Sequence, residues 1–223
     1  MRARIRRKNC GPGLWIALYG PDGAGKSAVA NQLRLALAPY FVAIVVHHLR
    51  IPLGATSPHA EPVTRPHAQA PRGALISYLK LVYRFAHDWL AHLLVTLPSR
   101  AAGELVIFDR YFLDYAVDPR RYRLGKSRAS FASFLGRFAP GPDLQFVLAV
   151  SAEELHRRKA EVSLAESARQ RVEYGARVGA LPNAMVVNAE KSVAEVVDEI
   201  AAIVLEFVKC KSEGTAEVDL VSA

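Results

Sequence analysis

The sequence predicts an α/β fold in three layers, a five-stranded parallel sheet flanked by helices. Three observations predict it. Five short, uninterrupted apolar runs punctuate the chain, which is the pattern of strands buried on both faces. Segments of helical periodicity lie between those runs, so strand and helix alternate throughout. A glycine-rich stretch, GPDGAGKS, stands at the junction of the first strand and the first helix.

The first strand is placed at residues 14–19 (LWIALY), and the glycine-rich turn leads into a helix at 26–38. A second apolar run at 42–49 gives the next strand. Residues 50–73, rich in Pro and His and without periodicity, read as a long loop of the kind that forms a lid or stays disordered. A helix follows at 74–97. Its Leu79, Val82, Tyr83, Ala86, Leu90, Leu93 and Leu97 form an apolar stripe at helical spacing, expected to face the core. Lys80, Arg84 and Asp88 recur four apart on another face, as either a solvated ladder or a ligand-binding row. The third strand is ELVIF (104–108) and the fourth LQFVLAV (144–150), with a helix at 129–137 between them. A helical stretch at 152–179 with a break, a strand at 184–188 and a helix at 192–209 complete the order. Parallel strands require right-handed crossovers, and the ligand crevice of such a sheet lies beyond the C-terminal strand ends. That geometry gathers the residues after Tyr19, His48, Phe108 and Val150.

The crevice coincides with the strongest local signal. GPDGAGKS (Gly20–Ser27) fits G-x-x-x-x-G-K-[ST] in the strand-to-helix setting that this motif requires, and so predicts a P-loop within the three-layer fold. The glycines let the backbone wrap so that its N–H groups point inward, and those amides with the positive end of the next helix hold phosphate oxygens. Lys26 is expected to reach the outer phosphates and the Ser27 hydroxyl to ligate Mg²⁺. ELVIFDR then ends a strand in Asp109, placed to serve as the second Mg²⁺ group, beside an Arg110 fork suited to phosphate or carboxylate.

Four pieces of the chain together resemble the thymidylate kinase family of P-loop nucleotide kinases: YGPDGAGKS at the P-loop, DRY at Asp109–Tyr111, PDLQFVLAVSAEELHRRK at Pro142–Lys159, and the closing VVNAEKSVAEVVDEI. They fall in the family's order across residues 14–207. The resemblance implies an ATP- and Mg²⁺-dependent kinase with a lid at about 157–168. It implies catalytic roles for Lys26, Asp109, Arg110 and Arg158, the lid arginine being worth on the order of 10³ to 10⁵ in rate. The nucleotide would rest on Gly20, Asp22, Gly23, Ala24, Gly25, Lys26, Ser27 and Ala28, with Arg157 and Asn188 beside it. The alternative for Arg157 and Arg158 is a solvated helix face. Asp22 would face the acceptor from inside the P-loop and Arg110 would clamp its phosphate.

On the acceptor side the chain departs from the family. Thymidylate kinases usually follow D-R-Y with a serine and then an Ala-Tyr-Gln segment; here FLDYAVDPRRYRLGKS stands instead. Arg120, Arg121 and Arg123 with Tyr115 and Tyr122 form either a wall for an anionic acceptor or a surface charge run, and Arg72 joins the acceptor candidates. Thymidylate is the first acceptor that the resemblance implies. A nucleoside, a sugar or another small anionic metabolite is the second reading, and a non-catalytic ATP-binding regulator the third. Intact Lys26, Ser27 and Asp109 argue against the third.

Composition bounds the rest. Hydrophobic content of 51% and charged content of 22% are ordinary for a soluble globular protein. Five cations of the +8 net charge lie in the first ten residues, so the basicity belongs largely to a tail expected to be a solvated arm, and a nucleic-acid partner is not expected. The apolar stretch after that tail is too short for a signal peptide, and no run reaches the ~18 residues of a membrane span. Cys10 and Cys210 form no metal pair or disulfide framework, which makes the cytoplasm the expected compartment. His47 and His48 read as structural histidines or as lining of an acceptor pocket, and no zinc site is expected. The chain divides into a basic tail (1–12), one kinase domain (13–210) and a frayed C-terminal tail (211–223), and the resemblance implies a homodimer.

Overall fold

Strand β1 (Leu14–Tyr19) is apolar on both faces because it occupies the centre of the sheet, and all six of its residues are buried. In the computed structural model, which describes residues 12–49, 51, 73–119, 121–124, 129–158 and 164–213, the strands run in the order β2-β3-β1-β4-β5, all parallel. The others are β2 (Ile44–His48), β3 (Leu105–Asp109), β4 (Leu144–Ala149) and β5 (Ala184–Asn188). The expected three-layer, five-stranded fold is therefore the one formed. The expected N-terminal tail and the loop 52–72 lie outside the described residues.

Alternate residues of β1 feed two cores. Leu14, Ile16 and Leu18 pack with Val29 and Leu33 of α1 (Lys26–Ala36) and with Val196, Ile200 and Val204 of α8 (Val193–Ser212). Trp15, Ala17 and Tyr19 point the other way, towards Leu81 of α2 (Ala74–Ala91), Tyr115 and Val117 of α4 (Leu113–Val117), Ala132 of α5 (Ala129–Gly136) and Tyr174 of α7 (Leu164–Val178). Helix α8 is fixed at its start by a reciprocal capping box between Ser192 and Glu195. It continues to Ser212, so residues 211 and 212 of the expected frayed tail are helical.

Two features depart from the sequence reading. The helix expected at 74–97 is α2 followed by a π-helical turn (His92–Thr96) and a short α3 (Leu97–Ala101). Pro98 explains the break: without an N–H it cannot bond the carbonyl four residues back, and the preceding turn loosens. The second departure is the direction of α2. Its buried residues are Ser77, Leu81, Arg84, Asp88 and Ala91, whereas the apolar stripe expected to face the core points outward. Leu79 is 61% and Tyr83 62% exposed, and Val82, Ala86, Leu90, Leu93 and Leu97 are exposed with them. The inward charges are tolerated because they neutralise each other: Arg84 donates to Asp88 at 2.9 Å, and its guanidinium lies 5.7 Å from the Tyr115 ring centre. A solvated ladder on this face is thereby excluded for Arg84 and Asp88, each at most 5% exposed.

Between β4 and β5 the expected break in the helical stretch is present. Helix α6 (Ala152–Arg158) ends before α7 begins, and residues 159–163 of the expected lid lie outside the described residues.

Candidate functional site

Sheet register brings the site together. Leu18 pairs with Asp109 and Asp109 with His48, so the C-terminal ends of β1, β3 and β2 stand level. The P-loop leaves β1 at Gly20, where φ is 140° and a Cβ would lie 2.8 Å from the Leu148 carbonyl oxygen; only glycine fits against β4 at this point. Gly25 takes the left-handed conformation (φ 85°, ψ 10°) that turns the chain into α1. No side chain caps α1, so its first amides are left to the P-loop concavity. Gly23, also at positive φ, and Ala24 complete the turn; Ala28, on the first turn of α1, is exposed.

Lys26 is buried, and its Nζ donates to the carbonyl oxygens of Gly20 and Pro21, both at 2.7 Å. Burial, and then the charge of Arg110, push its pKa down to about 7 against the opposing pull of Asp22, Asp109 and Asp114. The two carbonyls carry no counter-charge, which an anion bound here would supply.

Asp109 closes the other side. Its Oδ2 accepts from Ser27 Oγ at 2.5 Å and from His48 Nδ1 at 3.1 Å, while its buried Oδ1 has no hydrogen-bond partner among the described residues. Burial would raise its pKa, but the His48 bond, the Lys26 charge and the Ser27 hydroxyl hold it at about 2. A hydroxyl beside a fully ionised carboxylate with one unclaimed oxygen is a donor set that fits Mg²⁺, a cation commonly held by one or two carboxylates together with substrate phosphates.

The next residue carries the strongest backbone peculiarity. Arg110 has φ 75°, a left-handed conformation rare for a non-glycine residue and a strain that accumulates at functional sites. The turn drops its side chain into the protein. There it donates to Asp114 Oδ2 at 2.7 Å and to Asp22 Oδ1, and Asp114 Oδ1 in turn accepts from Tyr174 at 2.8 Å. Arg121 donates to the second Asp22 oxygen and is fixed at its own backbone by Asp118. The P-loop carboxylate is thus held between two arginines. Burial would lower the pKa of Arg110, but Asp114 and further groups, Asp22 among them, keep it raised and the guanidinium charged.

The remaining expected residues divide. Arg157 and Arg158 both pair with Glu154, and Arg158 also donates to the Ala189 carbonyl at 3.0 Å. They line a recess of about 380 Å³ with Ala24, Gly25, Glu154, Ala189 and Ser192, continuous with the P-loop. Asn188 stands at the end of β5, but its side chain accepts from the Glu190 amide in a local turn and does not line that recess. Tyr115 is buried, its ring 4.3 Å from that of Tyr122, so it packs behind the segment expected to meet the acceptor and does not present its own surface there. Arg72 and Arg120 lie outside the described residues. Two anchoring residues carried little signal: Asp114 by its i+4 spacing from Arg110 alone, and Tyr174, 60 residues away, by none.

No family model matches the sequence, and no curated protein does. Among solved structures, a thymidylate kinase from Candida albicans, the subject of a study on the origin of its broad substrate specificity and a novel structural element, superposes on this chain with a TM-score of 0.57. The two are 17% identical, and the match covers 93% of this chain and 95% of that one. The chain is therefore built on the P-loop α/β fold that this kinase displays.

Proposed function

We propose that this protein is an ATP- and Mg²⁺-dependent phosphotransferase that moves the γ-phosphoryl group to a small-molecule acceptor. One observation carries the reading: Lys26, Ser27 and Asp109 converge at the end of the central strands, with Asp109 Oδ1 unclaimed and a charged Arg110 adjoining. Phosphoryl transfer asks for positioning and charge neutralisation rather than a covalent nucleophile, and these groups supply both. In the proposed reaction the P-loop amides and Lys26 hold the transferred group. The acceptor oxygen attacks it in line while Arg110, fixed by Asp114 and Asp22, orients the acceptor. Ser27 and Asp109 would hold Mg²⁺, which neutralises phosphate charge when bound. Arg157 and Arg158 would exchange Glu154 for the nucleotide on the lid side, and the recess they line would take the base.

Thymidylate is the first acceptor to try, by resemblance. A different small acceptor is the second reading, favoured by Asp22: Arg110 and Arg121 are both paired with it, so an acceptor has to share these arginines with the P-loop carboxylate. The outward apolar face of α2 supports a further element of the reading, pairing of two copies through that helix.

The test is an ADP-release screen of the full chain against nucleoside monophosphates, nucleosides and sugars, run beside Lys26→Met. Acceptor-dependent ADP release that drops by about 10² to 10³ in the variant supports the proposal, on the scale of losing one fixed transition-state donor. A variant as fast as the wild type, with its fold intact by circular dichroism, sinks it.

A further inference from the structure

Consecutive histidines end β2, and the structure gives them opposite surroundings. His47 faces the core, its ring 5.5 Å from that of Phe108. His48 turns to the crevice, 62% exposed, and yet its Nδ1 lies 3.1 Å from Asp109 Oδ2. A loose surface side chain would not hold this position unaided. The contact is set by backbone: His48 and Asp109 are register partners, and the Leu49 amide donates to the Asp109 carbonyl at 2.9 Å while Leu49 itself turns at φ 63°.

We propose that His48 is the positioning residue of the cation site: together with Ser27 it fixes Asp109 Oδ2, so that Oδ1 is the oxygen left to take the divalent cation. The inference rests on the phosphotransferase reading for what the cation is for, but not for whether it binds. An ionised carboxylate can only accept, so the imidazole presents Nδ1–H to it, and this donor exists in both the neutral tautomer and the imidazolium. Two donors from two elements, the start of α1 and the end of β2, oppose rotation of the carboxylate about its last bond. Ser27 alone cannot do this, because its oxygen is itself a candidate ligand and must serve both partners. Hydrogen-bond partners behind a metal-binding carboxylate are worth 10- to 100-fold in metal affinity, which is the size of effect expected here.

The test uses Mn²⁺ as a spin-active substitute for Mg²⁺. The full chain with saturating ADP is titrated with Mn²⁺, and free ion is followed by electron paramagnetic resonance for wild type, His48→Ala, His48→Asn and the control His47→Ala. His48→Ala should weaken Mn²⁺ by about 10- to 100-fold. His48→Asn, whose amide N–H can reach the same oxygen, should recover most of the loss, and His47→Ala should stay near wild type. Melting curves of the His48 variants should coincide with that of the parent, since the ring is exposed. With an active acceptor in hand, the Mg²⁺ needed for half-maximal rate should rise in His48→Ala while the acceptor KM holds. Unchanged Mn²⁺ affinity in His48→Ala, or an asparagine variant as weak as the alanine one, overturns the inference. Mn²⁺ uptake with these ratios, in a protein that phosphorylates nothing, supports it while overturning the phosphotransferase reading, so the two fail separately.

Discussion

Arg110 shows how much a single side chain can be asked to do. It is buried, strained in its backbone and tied to two carboxylates, one in the P-loop and one on α4. Removing it should leave Asp114 and Asp22 without their cation, and breaking a buried pair on one side costs about 3–5 kcal/mol. Thermal melts of Arg110→Ala should fall by roughly 2–4 °C for each of those kilocalories, whereas Tyr174→Phe, which removes one donor from Asp114, should cost about 1–3 kcal/mol. A melting curve for Arg110→Ala that overlays the wild type would show the network to be idle. At this scale the sequence marks its candidate ligand-binding groups, because GPDGAGKS and the strand-ending Asp109 are local patterns. It could not announce the partners. Arg110 meets Asp22 across 88 residues and Arg121 meets it across 99, and nothing local encodes such pairings.

Helix α2 carries the main lesson at the scale of elements. The 3.6-residue period of its apolar stripe was legible and the helix is there, but inside and outside were exchanged. Periodicity identifies two faces; it assigns the apolar one to the core only if the other must meet water. Here Arg84 and Asp88 satisfy each other, which frees the polar face for burial against Tyr115. The displaced stripe, with Leu79, Tyr83, Leu90 and Leu93 outward, predicts self-association. Sedimentation equilibrium should find a dimer for the wild type and a monomer for a Leu79→Lys, Leu90→Lys variant with unchanged helicity; a monomeric wild type would remove α2 from any interface. Helix α4 has no signal in the sequence for another reason: five residues are too few for a periodic pattern, and Asp114, Tyr115, Ala116 and Val117 are held by their burial.

For the molecule as a whole, the five-stranded parallel sheet follows from the alternation of strand and helix, whereas the spatial order β2-β3-β1-β4-β5 has no signal in the sequence. Acid sensitivity is a property of the same scale, because it sums over groups that folding buries uncharged. Burial lowers the pKa of His47, and burial with the Arg100 charge lowers that of His92 despite Asp143. The unfolded chain therefore takes up protons near the ordinary histidine value of about 6.5 before the folded one does. Stability contributed by the neutral folded rings is full above that pH and declines as pH falls through it towards the lower folded values. Urea midpoints should accordingly drop between neutral and mildly acid buffer, and His47→Phe should flatten the decline; a parallel fall in both proteins would assign acid sensitivity elsewhere.

The two faces of the sheet are also built unequally. Beneath one, α1 lies along the capped twenty-residue α8, and the core there is drawn mainly from the strands and these two helices, with Leu155 of α6 and Phe41 added. Over the other, the helices α4 and α5 are short, five and eight residues, and Arg110, proposed to orient the acceptor, is held there by Asp114 of α4. Substitutions that reshape the short pieces leave the first core intact, whereas the P-loop is tied to both. A phosphotransferase built on such a scaffold, as proposed, could exchange one acceptor for another without relearning how to fold.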